Sequence, residues 1–277
     1  MIAIVTDSTA DVPAELLERC HVEVVPALIH VGQKTLRDGI DMTREAFYDL
    51  LPSLPDIPTT SAPSPAAFVE TYEKALQRAN QIVSIHAAGK LSGIYNAARL
   101  AARQIAPERI HLLDSGSISM GLGWPVMAAA EAARSETLEA VLNSARSAVE
   151  RLKLFALLNT VEYLARSGRV NMVQAGLSNL LNIKPIVEIK DGVVSTAARV
   201  RTWSRAMNAL ADKVREMAPL ERLAVMHSNC IECTHDLIDR VKDVIPNPDD
   251  VIVTNTTTAI GTHAGPHAVG FAAISRR

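Results

Sequence analysis

The chain has 277 residues, 48% hydrophobic, 21% charged and 4% aromatic, with a formal net charge of −2. That length supports a sizeable core in one large or two ordinary domains, and the slightly acidic, aromatic-poor balance argues against a nucleic-acid partner. No run of about 18 uninterrupted apolar residues occurs, so no membrane span or stable insertion is expected. Met1 runs straight into Ile2-Ala3-Ile4-Val5 with no basic leader, which points to the cytoplasm. Three cysteines do not make a disulfide framework.

In chain order, strand-like runs at residues 2–6, 22–30, 81–86 and 109–114 alternate with helical patterns at 13–19, 44–51, 65–78 and 94–104. That alternation predicts crossovers and a largely parallel sheet, with ligands collecting outside the carboxyl ends of its strands. Three polar loops sit at such ends: Asp7-Ser8-Thr9, residues 86–92, and Asp114-Ser115. Residues 52–65 carry five prolines and read as a stiff surface loop. Two helices, around 124–134 and 136–152, lead into the second half. There a strand at 154–158 precedes a helix ending near Gly168. A hairpin pairs 185–190 with 193–198 about Asp191-Gly192, a strong turn signal. Strand 222–227, helix 230–244, strand 251–255 and a last strand at 269–274 complete the chain. The expected division is a first α/β domain at 1–150 and a second at 151–277.

Ser92, in Leu91-Ser92-Gly93, falls between a strand and a helix, beside unpaired N–H groups that suit a carboxylate or phosphate. It reads as an N-cap or turn serine, or as a holder of an anion. A nucleophile there would need a base and an oxyanion hole, and no G-x-S-x-G elbow surrounds it. Ser64 with Pro65 fits a helix start; Thr60 and Ser61 form a second hydroxyl cluster that capping does not explain. Arg169 follows Gly168 at a helix end, as a solvated cation or an anion ligand. His263 lies in Gly261-Thr262-His263-Ala264-Gly265-Pro266, expected as a turning loop between two strands. His227, Cys230, Cys233 and His235 have metal-like spacing. If Asn229 caps a helix, however, the cysteines share an apolar stripe with Leu237 and His235 points elsewhere. That favours small core residues, with no metal. No P-loop or dinucleotide fingerprint occurs, so no cofactor is expected.

Together these segments resemble the DegV family of bacterial fatty-acid-binding proteins, which includes the lipid-carrying subunits of fatty acid kinase. The resemblance rests on Ile4-Val5-Thr6-Asp7-Ser8, Asp38-Gly39 before Phe47-Tyr48, and Thr60-Ser61-Ala62-Pro63-Ser64-Pro65. Leu91-Ser92-Gly93-Ile94-Tyr95, Leu113-Asp114-Ser115, Ser167-Gly168-Arg169, Ile183-Lys184-Pro185-Ile186 and the 261–266 segment follow in family order. It implies a two-domain α/β fold, parallel-sheeted in the first domain and mixed-sheeted in the second, with a fatty acid of about C16–C18 between them. It also implies that hydroxyls of Thr60 and Ser92, with Ser61 and Gly93 beside them, hold the carboxylate, joined by Arg169 and His263. In the kinase-associated branch a separate ATP-binding subunit phosphorylates that carboxylate, and Arg199 and Arg201 resemble the basic surface offered to it. The chain would then be a carrier with no catalytic residue of its own. The alternative is a serine hydrolase or acyltransferase using Ser92 and His263. Ile94, Ala88-Gly89 and His267 depart from the family pattern near the head group.

Overall fold

The computed structural model describes residues 1–135, 137–167 and 183–276. In its first half the chain runs β1 (Ile2–Asp7), α1 (Ala14–Arg19), β2 (Val22–Val25), β3 (Leu28–Val31), β4 (Lys34–Arg37), α2 (Arg44–Leu50), β5 (Thr59–Ser61) and α3 (Pro65–Leu76). It continues through β6 (Gln81–His86), α4 (Ile94–Ile105), β7 (Ile110–Asp114), α5 (Met120–Ala132) and α6 (Leu138–Arg151). The second half comprises β8 (Leu152–Leu157), α7 (Glu162–Arg166), β9 (Lys184–Lys190), β10 (Val193–Val200), α8 (Trp203–Arg215), β11 (Leu220–His227), α9 (Ile231–Val241), β12 (Ile252–Asn255), α10 (Thr258–Ala264) and β13 (Val269–Ser275).

The fold is α/β, as the alternation predicts. A four-stranded sheet in the order β2-β1-β6-β7 is parallel throughout. A six-stranded sheet, β10-β9-β8-β13-β11-β12, is antiparallel except for the β11–β12 pair. The central strands β1 and β6 are covered on both faces, which suits their mostly apolar sequences. Ala3, Val5 and Ile82 pack with Phe68, Tyr72, Ala98 and Ala101 of α3 and α4. Ile4, Val83 and Ile85 face the other way, into the core that holds Met120, Val126, Val141 and Ala145 of α5 and α6.

Helix α5 is shared between the two sheets. It contacts β1 and β6 on one side and β8 and β13 on the other, so it is buried nearly all round. Trp124 Nε1 donates to the Ala272 carbonyl on β13 at 3.0 Å. Gly123 lets the helix approach the chain after β1: a Cβ there would lie 2.7 Å from the Ala10 carbonyl and 2.8 Å from Val12. One continuous core therefore runs from Ile4 to Ala272.

Two expectations need correcting. Residues 22–30 do not form one strand: Pro26, which lacks an N–H, separates β2 in the parallel sheet from β3 in a small antiparallel sheet ordered β4-β3-β5. Part of the proline-rich stretch is not loop but β5, where Thr60 pairs with Ile29. Three residues are too few to show an alternating period.

Gly270 pairs with Ala156 where β13 crosses β8, and a Cβ there would lie 2.6 Å from the Phe155 carbonyl and 3.2 Å from Ala156 Cα. Because both are backbone atoms, Gly270→Ala should destabilise the protein by about 1–3 kcal/mol. Urea unfolding should show a lower midpoint with an unchanged slope; a midpoint equal to wild type contradicts the packing described.

Candidate functional site

Between the six-stranded sheet and the loops after the carboxyl ends of β1, β6 and β7 lies a cavity whose empty space, about 1210 Å³, includes its open mouth. Its deep wall is apolar, formed by Leu154 and Ala156 of β8, Val187 and Ile189 of β9, and Val194 of β10. Thr9, Ser119, His227, Ser228 and Thr256 also line the cavity, and further polar side chains gather where β5, the start of α4 and α10 converge. Thr60, Ser61, Ser92, Gly93 and His263 all line that part, so the structure brings together five of the six residues singled out from sequence. Arg169, the sixth, lies outside the described residues.

The local chemistry follows from the elements. Thr60 Oγ1 is 2.8 Å from His263 Nε2. Ser92 Oγ accepts from the Ile94 N–H at 3.3 Å in the first turn of α4, so it closes the turn and keeps its own hydrogen as a donor. Ser61 is exposed, with its hydroxyl 2.8 Å from His30 Nε2. Hydroxyl donors and a helix N-terminus suit an anion.

His263 is not in a loop, as expected, but in the last turn of α10. The helix is only seven residues long and ends at Gly265, whose φ is 74°, so its periodicity is invisible in the sequence. Two buried carboxylates from the first half grip its N-terminus. Asp38 Oδ1 accepts from the Thr258 N–H at 3.1 Å and the Thr258 hydroxyl at 2.5 Å, while its Oδ2 accepts from Ser8 Oγ at 2.6 Å. Asp11 Oδ1 accepts from the Thr257 N–H at 2.7 Å, and its Oδ2 from Ser119 Oγ at 2.5 Å. Arg44 anchors the preceding strand through the Asn255 carbonyl and Thr254 Oγ1. Negative groups at a helix start satisfy its orphan N–H groups and its dipole together.

Sequence reasoning missed this clasp. Asp38 belongs to a segment that carried the family resemblance, yet nothing local pairs it with residue 258. It also missed a buried chain from Asp7 Oδ2 to His86 Nδ1 (3.0 Å), His86 Nε2 to Ser84 Oγ (2.6 Å), and Ser84 Oγ to Tyr72 Oη (2.9 Å). The order of groups is that of a nucleophilic triad, but Asp7, His86, Ser84 and Tyr72 have no exposed surface. This chain fastens the ends of β1 and β6 beneath the cavity.

Arg199 and Arg201 are exposed at the end of β10, an edge strand of the six-stranded sheet. Cys230 and Cys233 are buried in the second core, as a shared apolar stripe implies, but they are joined by a disulfide. Glu232 joins them in one cluster of possible metal ligands. Cys230, rather than Asn229, occupies the N-cap of α9, and Asn229 adopts a φ of 53°.

The profile of the DegV family, described as uncharacterised proteins, matches residues 1–276. The chain belongs to the DegV family. A DegV domain-containing protein of Streptomyces coelicolor is 33% identical over 99% of each chain. Among solved DegV structures, one from Thermus thermophilus, described as fatty acid binding, superposes with a TM-score of 0.91 at 32% identity, covering 99% of both chains. DegV from Bacillus subtilis, described as a fatty acid binding protein, gives 0.85 at 26% identity, again over 99% of each. The two-sheet α/β architecture is that of these DegV structures. Among the described residues, no helix is long and apolar enough to cross a membrane.

Burial pushes the Asp11 carboxyl from 3.8 up to about 6, against the opposing pull of Arg44 and its hydrogen-bond donors. Between those values the folded protein holds a proton that the unfolded chain has released. Stability from this group is therefore full below about pH 4 and falls as pH rises through 6. Asp11→Asn should flatten the stability profile across that window by on the order of 2–3 kcal/mol relative to wild type. Urea unfolding at several pH values checks this; parallel profiles would contradict it.

Proposed function

We propose that this DegV protein binds a long-chain fatty acid of about C16–C18 in the cavity over its six-stranded sheet, as a carrier without catalysis of its own. The observation that carries this reading is the cavity's division between an apolar wall and polar side chains that include Thr60, Ser92 and His263. An amphipathic ligand with a single anionic head matches that division. The fatty-acid-binding descriptions of the Thermus and Bacillus proteins support it.

The hydroxyls of Thr60 and Ser92 donate to the carboxylate, with Ser61 and Gly93 shaping the entrance and His263 completing the head-group site. Arg169 is assigned there by the family pattern. Burial of each CH₂ stabilises the complex by about 0.8 kcal/mol, so the chain supplies most of the affinity and the head group sets orientation. In this reading the two α/β domains, 1–150 and 151–277, close on the ligand from either side. The carboxylate stays near the mouth, where a separate ATP-binding kinase subunit phosphorylates it in the cytoplasm. The exposed Arg199 and Arg201 offer that subunit a basic surface; such exposed charges act mainly on encounter and orientation.

Native mass spectrometry of the purified protein should find a co-purified fatty acid at about one per chain. The double variant Thr60→Ala/Ser92→Ala should bind palmitate at least about tenfold more weakly, given 1.5–3 kcal/mol for each hydrogen bond to a charged group. Absence of lipid together with no uptake of added palmitate or oleate would refute the carrier reading. Wild-type affinity in the double variant would refute the head-group assignment alone.

A further inference from the structure

The carrier reading leaves Cys230-Ile231-Glu232-Cys233 unused. The segment forms the turn between β11 and α9, and β11 pairs in parallel with β12 after that helix. A Cys-x-x-Cys at the strand-to-helix turn of a parallel βαβ unit is an arrangement suited to thiol–disulfide chemistry. We propose that Cys230 and Cys233 form a redox-active dithiol–disulfide centre whose reaction partners are thiols and dithiols.

Four features support it. The two sulfurs are bonded to each other, so the geometry of the oxidised state is built into the turn. Cys230 occupies the N-cap of an eleven-residue helix, whose dipole favours a thiolate against the opposing Glu232 carboxylate, 3.1 Å from the Sγ. The bond spans a sequence separation of only three, and so short a loop removes little entropy from the unfolded chain. As a structural staple it contributes little. Finally, the pair lies one side chain below the surface: Cys230 and Cys233 are 3% and 7% exposed, but Ile231 between them is 47% exposed and Asn229 and Glu232 are also exposed. Fraying of the first helical turn brings the sulfurs within reach of a small thiol.

In the exchange, a thiolate of a dithiol reductant attacks one sulfur of the pair. A mixed disulfide forms as the Cys230–Cys233 bond breaks, and the displaced sulfur leaves as a thiolate at the helix start. The reductant's second thiolate then attacks the mixed disulfide, closes the reductant's own disulfide and releases the other cysteine. Two electrons pass to the pair, and the two protons shed by the reductant's thiols end on Cys230 and Cys233. Glu232 Oε1, 3.1 Å from Cys230 Sγ, accepts the hydrogen of the reduced Cys230 thiol.

The centre also touches the cavity. The Cys230 N–H donates to His227 Nδ1 at 3.1 Å, which places the hydrogen of the neutral ring on Nε2. His227 lines the cavity wall. Burial holds this imidazole below its ordinary pKa. Its ring resonances therefore report the state of the pair.

The test uses the full chain purified without reductant, alkylated with iodoacetamide and mapped by mass spectrometry. Cys230 and Cys233 should resist alkylation at first, leaving Cys20, the unlinked cysteine, as the only candidate. After dithiothreitol in native buffer both should react, the His227 ring signals should shift, and oxidised glutathione should restore protection. Cys233→Ser treated with oxidised glutathione should gain one glutathione on Cys230. Alkylation of both before any reductant, or only after denaturation, would overturn the proposal. So would about one tightly held zinc per chain in the reduced protein.

Discussion

Helix α10 is seven residues long, too short to persist without tertiary support, and two buried carboxylates supply that support. Asp11 and Asp38 come from the first half of the chain, yet they bond the N–H groups of Thr257 and Thr258 in the second. Burying charge is unfavourable unless it is fully hydrogen-bonded, and each carboxylate has donors on both oxygens. The clasp fixes where α10 begins. It thereby fixes where the helix ends, and so brings His263 to Thr60 on β5.

The same fastening defines the cavity. Helix α5 fills the space between the sheets on one side, with Gly121 and Gly123 allowing close approach. The cavity's lining mixes alanines, among them Ala27, Ala62, Ala87, Ala156 and Ala259, with larger aliphatic residues such as Leu154, Val187 and Ile189. In the proposed function an apolar chain lies against the aliphatic lining, with its polar end at the hydroxyls of Thr60 and Ser92.

Most of this frame was legible in the sequence. The parallel strands show in the alternation of strand-like and helical patterns, and Asp191-Gly192 turns its hairpin where expected. Thr60 and Ser61 were visible as hydroxyls that capping does not explain, Ser92 as a serine at a strand–helix junction and His263 as a histidine in a glycine-rich segment. What was hidden is short or distant. Strand β5 and helix α10 are too brief to show a period, and Pro26 splits what looks like one strand into two sheets. The bonds from Asp11 and Asp38 span 246 and 220 residues, and no local pattern signals a partner so far away. The Cys230–Cys233 link was hidden differently, since apolar spacing describes a core cysteine and a bonded cysteine equally well.

The central claim is that one end of the cavity takes a carboxylate and the rest takes its chain. The most direct measurement is a crystal structure of the protein loaded with palmitate. The account predicts carboxylate oxygens within hydrogen-bond distance of Thr60 Oγ1 and Ser92 Oγ, with the chain running toward Leu154, Val187 and Ile189. A head group at the apolar end, or a lipid bound outside the cavity, would contradict it.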